Sequence, residues 1–383
     1  MKVALLTDGI YPYAIGGMQR HSYFLAKYLA QNNVFVRVYH CVFENREIDI
    51  HNYFTADELK NIEFIEINFN NKIKIPGYYI LESYLYSKRI DNHLIKDIRS
   101  FDFIYSKGFT AWVLLKNKKN IKNYPKVGIK LHGYEMYQYA NNISMRIKHW
   151  LLQIPARFVT KNADYVFSYG GKVSDILKTK LHVPINRIVE IPTAIEGELL
   201  AKSITAYHQP LKFVFVGRYE ERKGIKELQQ AILNLNKENK LFEIIFIGDI
   251  PDTLRLKDKN IQYLGKITNY DKIKEILIGC DVLICPSFSE GMPNVIVEAM
   301  ANGLTVLATD VGAISLLVNK ETGFLIQNNL VQTIEMEIKK ILGLSKEEIQ
   351  KKKGQALHHI TKNFTWEVII KDVISKIENF RKL

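Results

Sequence analysis

The chain opens on an apolar run, Val3-Ala4-Leu5-Leu6, which stops at Thr7-Asp8 and gives way to a glycine-containing loop from Asp8 to Gly17. Apolar residues at helical spacing follow over 18–31, and then a second run, Val34-Phe35-Val36-Arg37-Val38-Tyr39. Strand, glycine loop, helix and strand make a βαβ unit, and such units build a parallel sheet. Further apolar runs at 62–67, 102–106, 126–131, 164–168 and 187–191 are mostly separated by helical stretches at 79–99, 143–162 and 171–180. Pro155 is expected to interrupt the second of these helices. Residues 196–210 lose periodicity and end in Gln209-Pro210, which marks a domain boundary. The alternation then restarts, with strands near 212–217, 243–247, 261–264, 281–285, 304–308 and 323–326. Helices are expected near 224–239, 270–279, 293–302, 313–318 and 331–342. A last helical stretch, Thr365 to Phe380, carries Trp366, Ile369, Ile370, Val373, Ile374 and Ile377 at helical spacing. The pattern predicts an α/β protein of two tandem Rossmann-like domains, with ligands beyond the carboxyl ends of the strands and a cleft between the domains as the expected site.

Composition changes this picture only in part. A length of 383 residues leaves room for two cores, and 47% hydrophobic with 24% charged residues excludes a disordered chain or a fibrous repeat. The run before Asp8 is too short for a signal-peptide core, and no stretch approaches the roughly 18 to 20 apolar residues of a spanning helix. The three cysteines, Cys41, Cys280 and Cys285, are odd in number and form no C-x-x-C pair. They argue against a disulfide framework and a zinc site, and Cys280 and Cys285 read as buried thiols. The expected location is cytoplasmic. The net charge of +13 admits nucleic acid, an anionic membrane or phosphorylated substrates as partners.

The most informative stretch runs from Cys285 to Gly303. A buried strand ends near Cys285, a loop carries Ser287, Ser289, Glu290, Gly291 and Met292, and Pro293 suits the first position of a new helix. Free N–H groups at a helix start favour an anion such as phosphate, here around Asn294 and Val295. Glu290 lies in the loop before them and Glu298 about one and a half turns into the helix, where carboxylates can accept hydrogen bonds from sugar hydroxyls. This string, with Ser289-Glu290-Gly291 before Pro293-Asn294 and Glu298-Ala299-Met300-Ala301 before Gly303, resembles the E-x7-E motif of retaining glycosyltransferases of family 4, which have the GT-B fold. A second block, Phe213 to Ile225, looks like that family's V-G-R-x-x-x-x-K-G segment. It places Gly217 and Arg218 after a strand and Lys223 before a helix. Taken singly, Arg218 and Lys223 beside Glu220 and Glu221 would read as a solvated turn; an Arg fork and a Lys point charge also suit a diphosphate.

The first domain matches more loosely. Gly16 and Gly17, within Ile15-Gly16-Gly17-Met18-Gln19-Arg20-His21, resemble the family's G-G-[MI]-E-x-H helix start, with Gln19 in place of the usual acid. Lys130-Leu131-His132-Gly133, at the end of a strand, resembles the family's His-Gly or His-Asp, where the histidine stands near the transferred sugar and the diphosphate. Gly248-Asp249 and Gly265-Lys266-Ile267 look like loops lining the nucleotide, with backbone around Ile267 near the base. Two departures stand out. Thr193-Ala194-Ile195-Glu196 replaces the family's N-G-[VI]-D, and Gly312-Ala313-Ile314-Ser315-Leu316 lacks the acid of G-G-x-x-E. They leave the sugar and the subfamily open.

The resemblance implies an acceptor domain over 1–195, joined by a returning helix at 365–383, and a donor domain over 196–364. It implies transfer from a nucleotide-diphosphate sugar, a UDP- or GDP-sugar, with retention, to a lipid-linked or cell-surface glycan precursor. Catalytic roles fall on Glu290, His132, Arg218 and Lys223. Donor contacts fall on Gly16, Gly17, Gly217, Arg218, Lys223, Ile267, Glu290, Gly291, Met292, Pro293, Asn294, Val295 and Glu298. No D-x-D triplet occurs, so no metal and no cofactor are expected, and Arg218, Lys223 and the helix start would neutralise the leaving group. Residues 107–180 hold fourteen Lys and Arg, Lys119 and Lys122 among them, against Glu135, Asp164 and Asp175, a net of +11. Within them Arg146, Lys148 and Arg157 interleave with Trp150, Leu151, Leu152 and Phe158, which suits an anionic membrane surface; a core helix with snorkelling cations is the plainer alternative. Peripheral contact with the inner face of the cytoplasmic membrane is therefore expected. A sugar-nucleotide epimerase or phosphorylase on the same scaffold is the second reading. A nucleic-acid-binding protein is the third, and the chain shows no helix-turn-helix or aromatic RNA-binding signature, so no nucleic-acid partner is expected.

Overall fold

The computed structural model describes residues 1–14, 16–42, 48–68, 77–118, 123–140 and 142–382; Ile15, Lys119 and Lys122 lie outside the described residues. The chain divides into two compact units. One comprises Met1–Tyr169, Val173–Pro192 and Ile369–Leu383, and the other Gly170–Lys172 and Thr193–Val368.

Among the described residues, the first unit holds strands β1 (Lys2–Leu6), β2 (Phe35–Val42), β3 (Ile62–Asn68), β4 (Phe103–Lys107), β5 (Lys126–Lys130), β6 (Tyr165–Ser168) and β7 (Ile188–Glu190). They form one sheet in the order β3-β2-β1-β4-β5-β6-β7, with every pairing parallel. Helices α1 (Gly17–Gln31), α2 (Ala56–Leu59), α3 (Tyr78–Leu94), α4 (Trp112–Asn117), α5 (Ile143–Asn162) and α6 (Gly171–Thr179) connect them. The second unit holds β8 (Lys212–Val216), β9 (Glu243–Ile247), β10 (Ile261–Tyr263), β11 (Val282–Cys285), β12 (Thr305–Thr309) and β13 (Gly323–Ile326), in the parallel order β10-β9-β8-β11-β12-β13. Its helices are α7 (Ile225–Lys237), α8 (Tyr270–Ile278), α9 (Asn294–Ala301), α10 (Val331–Leu342) and α11 (Lys346–Asn363). Helix α12 (Trp366–Lys382) starts in the second unit and ends in the first. The central strands read as continuous apolar runs because a parallel sheet is buried on both faces: Val3, Ala4, Leu5 and Leu6 of β1 are all fully buried. In the second unit Leu228, Ile232 and Leu235 of α7 and Ile334, Ile338 and Ile341 of α10 join Phe213, Phe215 and Phe246 in one core.

The strand order reverses between β1 and β4 in the first unit and between β8 and β11 in the second. These reversals are the switch points where open α/β sheets splay their loops apart and bind ligands.

Three helical expectations need correction. Helix α5 runs unbroken from Ile143 to Asn162 with Pro155 inside it. Pro155 removes one N–H bond, but it is buried together with Ala156, Val159 and Thr160, and that packed face holds the helix through the missing bond. The stretch 313–318 is only a 3-10 turn over Ile314–Leu316, behind Gly312 at a φ of 60°. Pro293 is the cap residue, at φ −71° and ψ 121°, and the helix begins one residue later at Asn294. Three helices, the one-turn α2, α4 and α11, escape the periodicity reading. In α11 the buried positions are Ile349, Lys353, Ala356 and Ile360, so one core-facing position is a lysine.

That lysine forms a fully buried ion pair. Lys353 Nζ lies 3.0 Å from Asp281 Oδ1, with both side chains at zero exposure. Lys353 also donates to Thr205 Oγ1 at 3.1 Å, while Asp281 Oδ2 accepts from the Lys212 backbone N–H at 3.1 Å and lies 3.1 Å from His208 Nδ1.

Candidate functional site

In the second unit the loops leaving β8 and β11 bracket the switch point. The β8 loop carries Gly217, Arg218, Arg222, Lys223 and Gly224, and the β11 loop carries Pro286 to Pro293. They are stitched together by the Phe288 N–H, which donates to Arg222 O at 2.8 Å. Gly224 allows this approach. At φ +65° it sits so close to the β11 loop that a Cβ would meet Pro286 O at 1.9 Å. Gly312 does the same from the β12 loop, where a Cβ would meet Glu290 O at 2.3 Å, and the neighbouring Ala313 N–H donates to Gly291 O at 2.7 Å. Backbone thus clamps the Glu290 loop from two sides.

Glu290 is 6% exposed. Its Oε1 accepts from Lys223 Nζ at 2.6 Å and from Ser287 Oγ at 2.8 Å, and Arg222 Nη1 stands 3.7 Å from its Oε2. A nearly buried carboxylate is thereby held among a lysine, an arginine and a hydroxyl. Burial, then the Glu290 charge, pushes the Cys285 thiol up to about 11, so Cys285 stays a protonated core group here.

Arg218 is not part of this cluster. Its side chain is 75% exposed and pairs with Glu220 at 2.9 Å. The cation that joins Lys223 at Glu290 is Arg222, which sequence reasoning passed over. The offset from the strand end signals only a turn, and the close contact depends on the β11 loop, far away in sequence. Gly217, just past β8, donates its N–H to Ile247 O at 2.9 Å, and Gly248 donates to Gly265 O at 2.9 Å. The ends of β8, β9 and β10 therefore form one continuous rim that carries the half-buried Ile267. Helix α9 buries Ile296, Val297, Ala299, Met300 and Ala301 and leaves Asn294, Val295 and Glu298 partly exposed on one side. Gly291, Met292 and Pro293 are buried; Met292 Sδ accepts from the Thr193 N–H at 3.2 Å, and Thr193 Oγ1 donates to Asn294 Oδ1 at 3.0 Å. The first turn of α9 carries no acid and no side-chain cap.

The first unit builds its own polar cluster at the carboxyl ends of β4, β5 and β6. Gly16 caps α1 and Gly17 is its first residue. Lys107, the last residue of β4, is 3% exposed and donates to Met18 O at 2.6 Å and Ser22 Oγ at 2.7 Å, with His21 Nδ1 at 3.5 Å. Lys130, the last residue of β5, is 2% exposed; it donates to Ile191 O at 3.0 Å and sits 4.1 Å from the Tyr169 ring centroid. Tyr169 OH shares a 3.0 Å hydrogen bond with His132 Nδ1, and the His132 ring itself is exposed. Burial, with some relief from Asp8, brings Lys107 down to about 7, and burial together with the Lys107 charge holds Lys130 well below its ordinary value. Burial first, then Lys107, Lys130 and His132, hold His21 neutral at physiological pH. In the sequence both lysines are ordinary members of the basic 107–180 region. Their position at strand ends was the available signal, because the last inward residue of a parallel strand faces the ligand edge. Among the described residues, no three of His, Cys, Asp and Glu converge as a metal site would require.

A family model for glycosyltransferase family 4 matches residues 15–199, and one for glycosyl transferases group 1 matches residues 210–343. The chain is 27% identical to an uncharacterized glycosyltransferase of Methanocaldococcus jannaschii over 383 aligned residues, 97% of each chain. It is 23% identical over 267 residues, 62% of this chain and 68% of the other, to the UDP-Gal:alpha-D-GlcNAc-diphosphoundecaprenol alpha-1,3-galactosyltransferase of Escherichia coli. Among solved structures, sucrose-phosphate synthase from Thermosynechococcus elongatus superposes with a TM-score of 0.79 at 17% identity, covering 99% of this chain and 98% of that one.

Proposed function

The chain belongs to glycosyltransferase family 4, has the GT-B fold and is a transferase enzyme; from that membership we propose that it transfers a sugar from a nucleotide-diphosphate sugar with retention of anomeric configuration. The observation that carries the reading is the Lys223–Glu290 pair at the second unit's switch point, beside the uncapped start of α9. Lys223, with Arg218 and the N–H groups near Asn294, neutralises the leaving diphosphate. The bond from the anomeric carbon to the phosphate oxygen breaks with its electron pair going to that oxygen. The acceptor hydroxyl attacks the same face, and its proton passes to the departing phosphate. Glu290 orients and polarises the donor sugar without forming a covalent adduct, and Glu298 holds the ribose hydroxyls. Gly217 and Ile267 line the nucleotide, Gly291, Met292 and Pro293 shape the loop beside it, and Val295 belongs to the first turn of α9. For the first unit, the proposed roles are phosphate contact by the backbone at Gly16 and Gly17 and sugar contact by His132.

The acceptor we propose is a lipid-linked or cell-surface glycan precursor, met at the anionic inner face of the cytoplasmic membrane. Two observations support this: the diphosphoundecaprenol named for the Escherichia coli relative, and the net +11 over residues 107–180. No helix among the described residues is long and apolar enough to cross a membrane.

A thermal-shift series with UDP, GDP, ADP and their sugars tests the reading. A ligand at about 100 times its Kd stabilises the folded state by about 2.7 kcal/mol. One nucleoside diphosphate should raise the melting temperature, and Lys223→Ala should remove both sugar transfer and that rise, read against the variant's own ligand-free melting, which falls because the nearly buried Glu290 loses its partner. No shift with any nucleotide, or full transfer by Lys223→Ala, would overturn it. Breakdown of the donor without an acceptor would favour an epimerase or phosphorylase.

A further inference from the structure

Helix α5 leaves a stripe of large apolar side chains uncovered. Ile143 is 75% exposed, Ile147 55%, Trp150 63% and Ile154 58%. They recur at i, i+4, i+7 and i+11, so at 100° per residue they fall within about 60° of arc. The buried side of the helix is carried by Pro155, Ala156, Val159 and Thr160. Helix α3 repeats the arrangement. Tyr78, Leu81 and Leu85 are exposed, while Tyr86 and Ile90 are buried. Lys148 Nζ of α5 stands 5.6 Å from the Tyr79 ring of α3, which makes the two helices neighbours. Single exposed apolar residues need no explanation, whereas aligned sets on adjacent helices mark a contact surface.

Charge identifies what that surface meets. Helix α5 carries Arg146, Lys148, Arg157 and Lys161 and has no Asp or Glu. Helix α3 adds Lys88 and Arg89, and its two acids, Glu82 and Asp91, are buried. A second copy of this chain would set these cations against their own kind. An anionic bilayer answers both features, because apolar side chains enter the acyl boundary while cations stay among the headgroups, and tryptophan favours that boundary.

The geometry points to a membrane-docking face in which α5 lies in the plane of an anionic leaflet with Ile143, Ile147, Trp150 and Ile154 below the headgroups and the exposed side chains of α3 beside them. This rests on the membrane reading above and names the side chains that execute it. The inserting set differs from the one the sequence suggested. Leu151, Leu152 and Phe158 are partly covered by protein, Phe158 with its ring 6.5 Å from that of Trp112.

The test is flotation of the full chain with vesicles. Burying one large apolar side chain changes a partition constant about 10- to 100-fold, and each cation at an anionic surface about fivefold at low salt. The protein should float with phosphatidylglycerol–phosphatidylcholine vesicles at low salt and far less with phosphatidylcholine alone. Ile147→Glu should weaken binding at least tenfold. Leu241→Glu, at an 83% exposed leucine of the second unit, should leave it unchanged. Both variants should melt with wild type, since both positions are exposed. Failure of the wild type to float, or Ile147→Glu binding within threefold of wild type, would overturn the proposal. So would a dimer in light scattering that Ile147→Glu splits, because the face would then be a self-contact. Flotation is measured without donor or acceptor, so its failure leaves the nucleotide result standing.

Discussion

Replacing Lys353 by methionine should cost the second unit a large part of its stability. Methionine keeps most of the lysine stem and its packing against α11's neighbours, so the change falls on the ammonium group. That group lies 3.0 Å from Asp281 Oδ1 with neither side chain exposed. After its removal Asp281 keeps one backbone N–H, from Lys212, and the contact with His208. Removing one partner of a buried ion pair costs about 3–5 kcal/mol, because the other charge stays desolvated without its counterion. For a domain of this size each kcal/mol lowers the melting temperature by roughly 2–4 °C, so the transition should fall by roughly 6–20 °C. Calorimetry of wild type, Lys353→Met, Asp281→Asn and the double variant gives the full cycle. The double variant should recover about 1–3 kcal/mol relative to the sum of the singles, since it buries no lone charge. A loss below about 1 kcal/mol in Lys353→Met, or strict additivity in the double variant, would refute the reasoning.

Two further outcomes follow from the geometry. Gly224→Ala should disable transfer and lower stability, because its Cβ would sit 1.9 Å from Pro286 O, moving the loop that holds Lys223 against Glu290; donor turnover and melting measured side by side check this, and wild-type turnover or melting would contradict it. Stability should rise with pH above neutrality: Lys107 titrates near 7 when folded and near 10.4 when unfolded, so between these values the unfolded chain binds the extra proton, adding up to about 1.4 kcal/mol per pH unit. Lys130 contributes with the same sign. Urea titrations at pH 7, 7.5 and 8, below the range in which unfolded cysteines lose protons that the buried thiols keep, should show the rise in wild type and a flatter one in Lys107→Met, and equal slopes would refute the assignment.

The sheets were legible because parallel strands buried on both faces leave unbroken apolar runs, and short βα loops punctuate them with glycine. The helices that escaped show where such reading stops. Helix α11 has both halves of a capping box, Ser345 with Glu348, yet its apolar period is broken by Lys353, whose partner Asp281 is 72 residues away. Pro155 looked like a break because propensity is local, whereas the buried face that sustains α5 is tertiary. At the candidate site the motif pointed to Glu290 and Lys223, which the fold brings to 2.6 Å. Arg222 carried no signal, because its contact with Glu290 depends on a loop far away in sequence, and Lys107 and Lys130 offered only their strand-end positions, since a charged residue becomes unusual when the topology buries it. The exposed stripe of α5 was hidden for the same reason: a helix with apolar residues on most sides shows only when folded which side stays bare.

The division of α12 between the units bears on how this protein is made. Phe380 stacks on Tyr165 of β6 at 3.6 Å, Arg381 pairs with Asp102 at 2.8 Å, and Lys376 Nζ donates to Glu190 O at 2.8 Å. These partners leave the ribosome early, whereas α12 emerges only after the whole second unit has been translated. The usual vectorial order, in which the leading domain finishes folding first, is therefore closed to this chain. The first sheet waits with the Tyr165 side of its surface uncovered until residues 369–382 emerge, so the time taken to translate the second unit, at roughly 5–20 residues per second, sets the least interval for which that surface stays open.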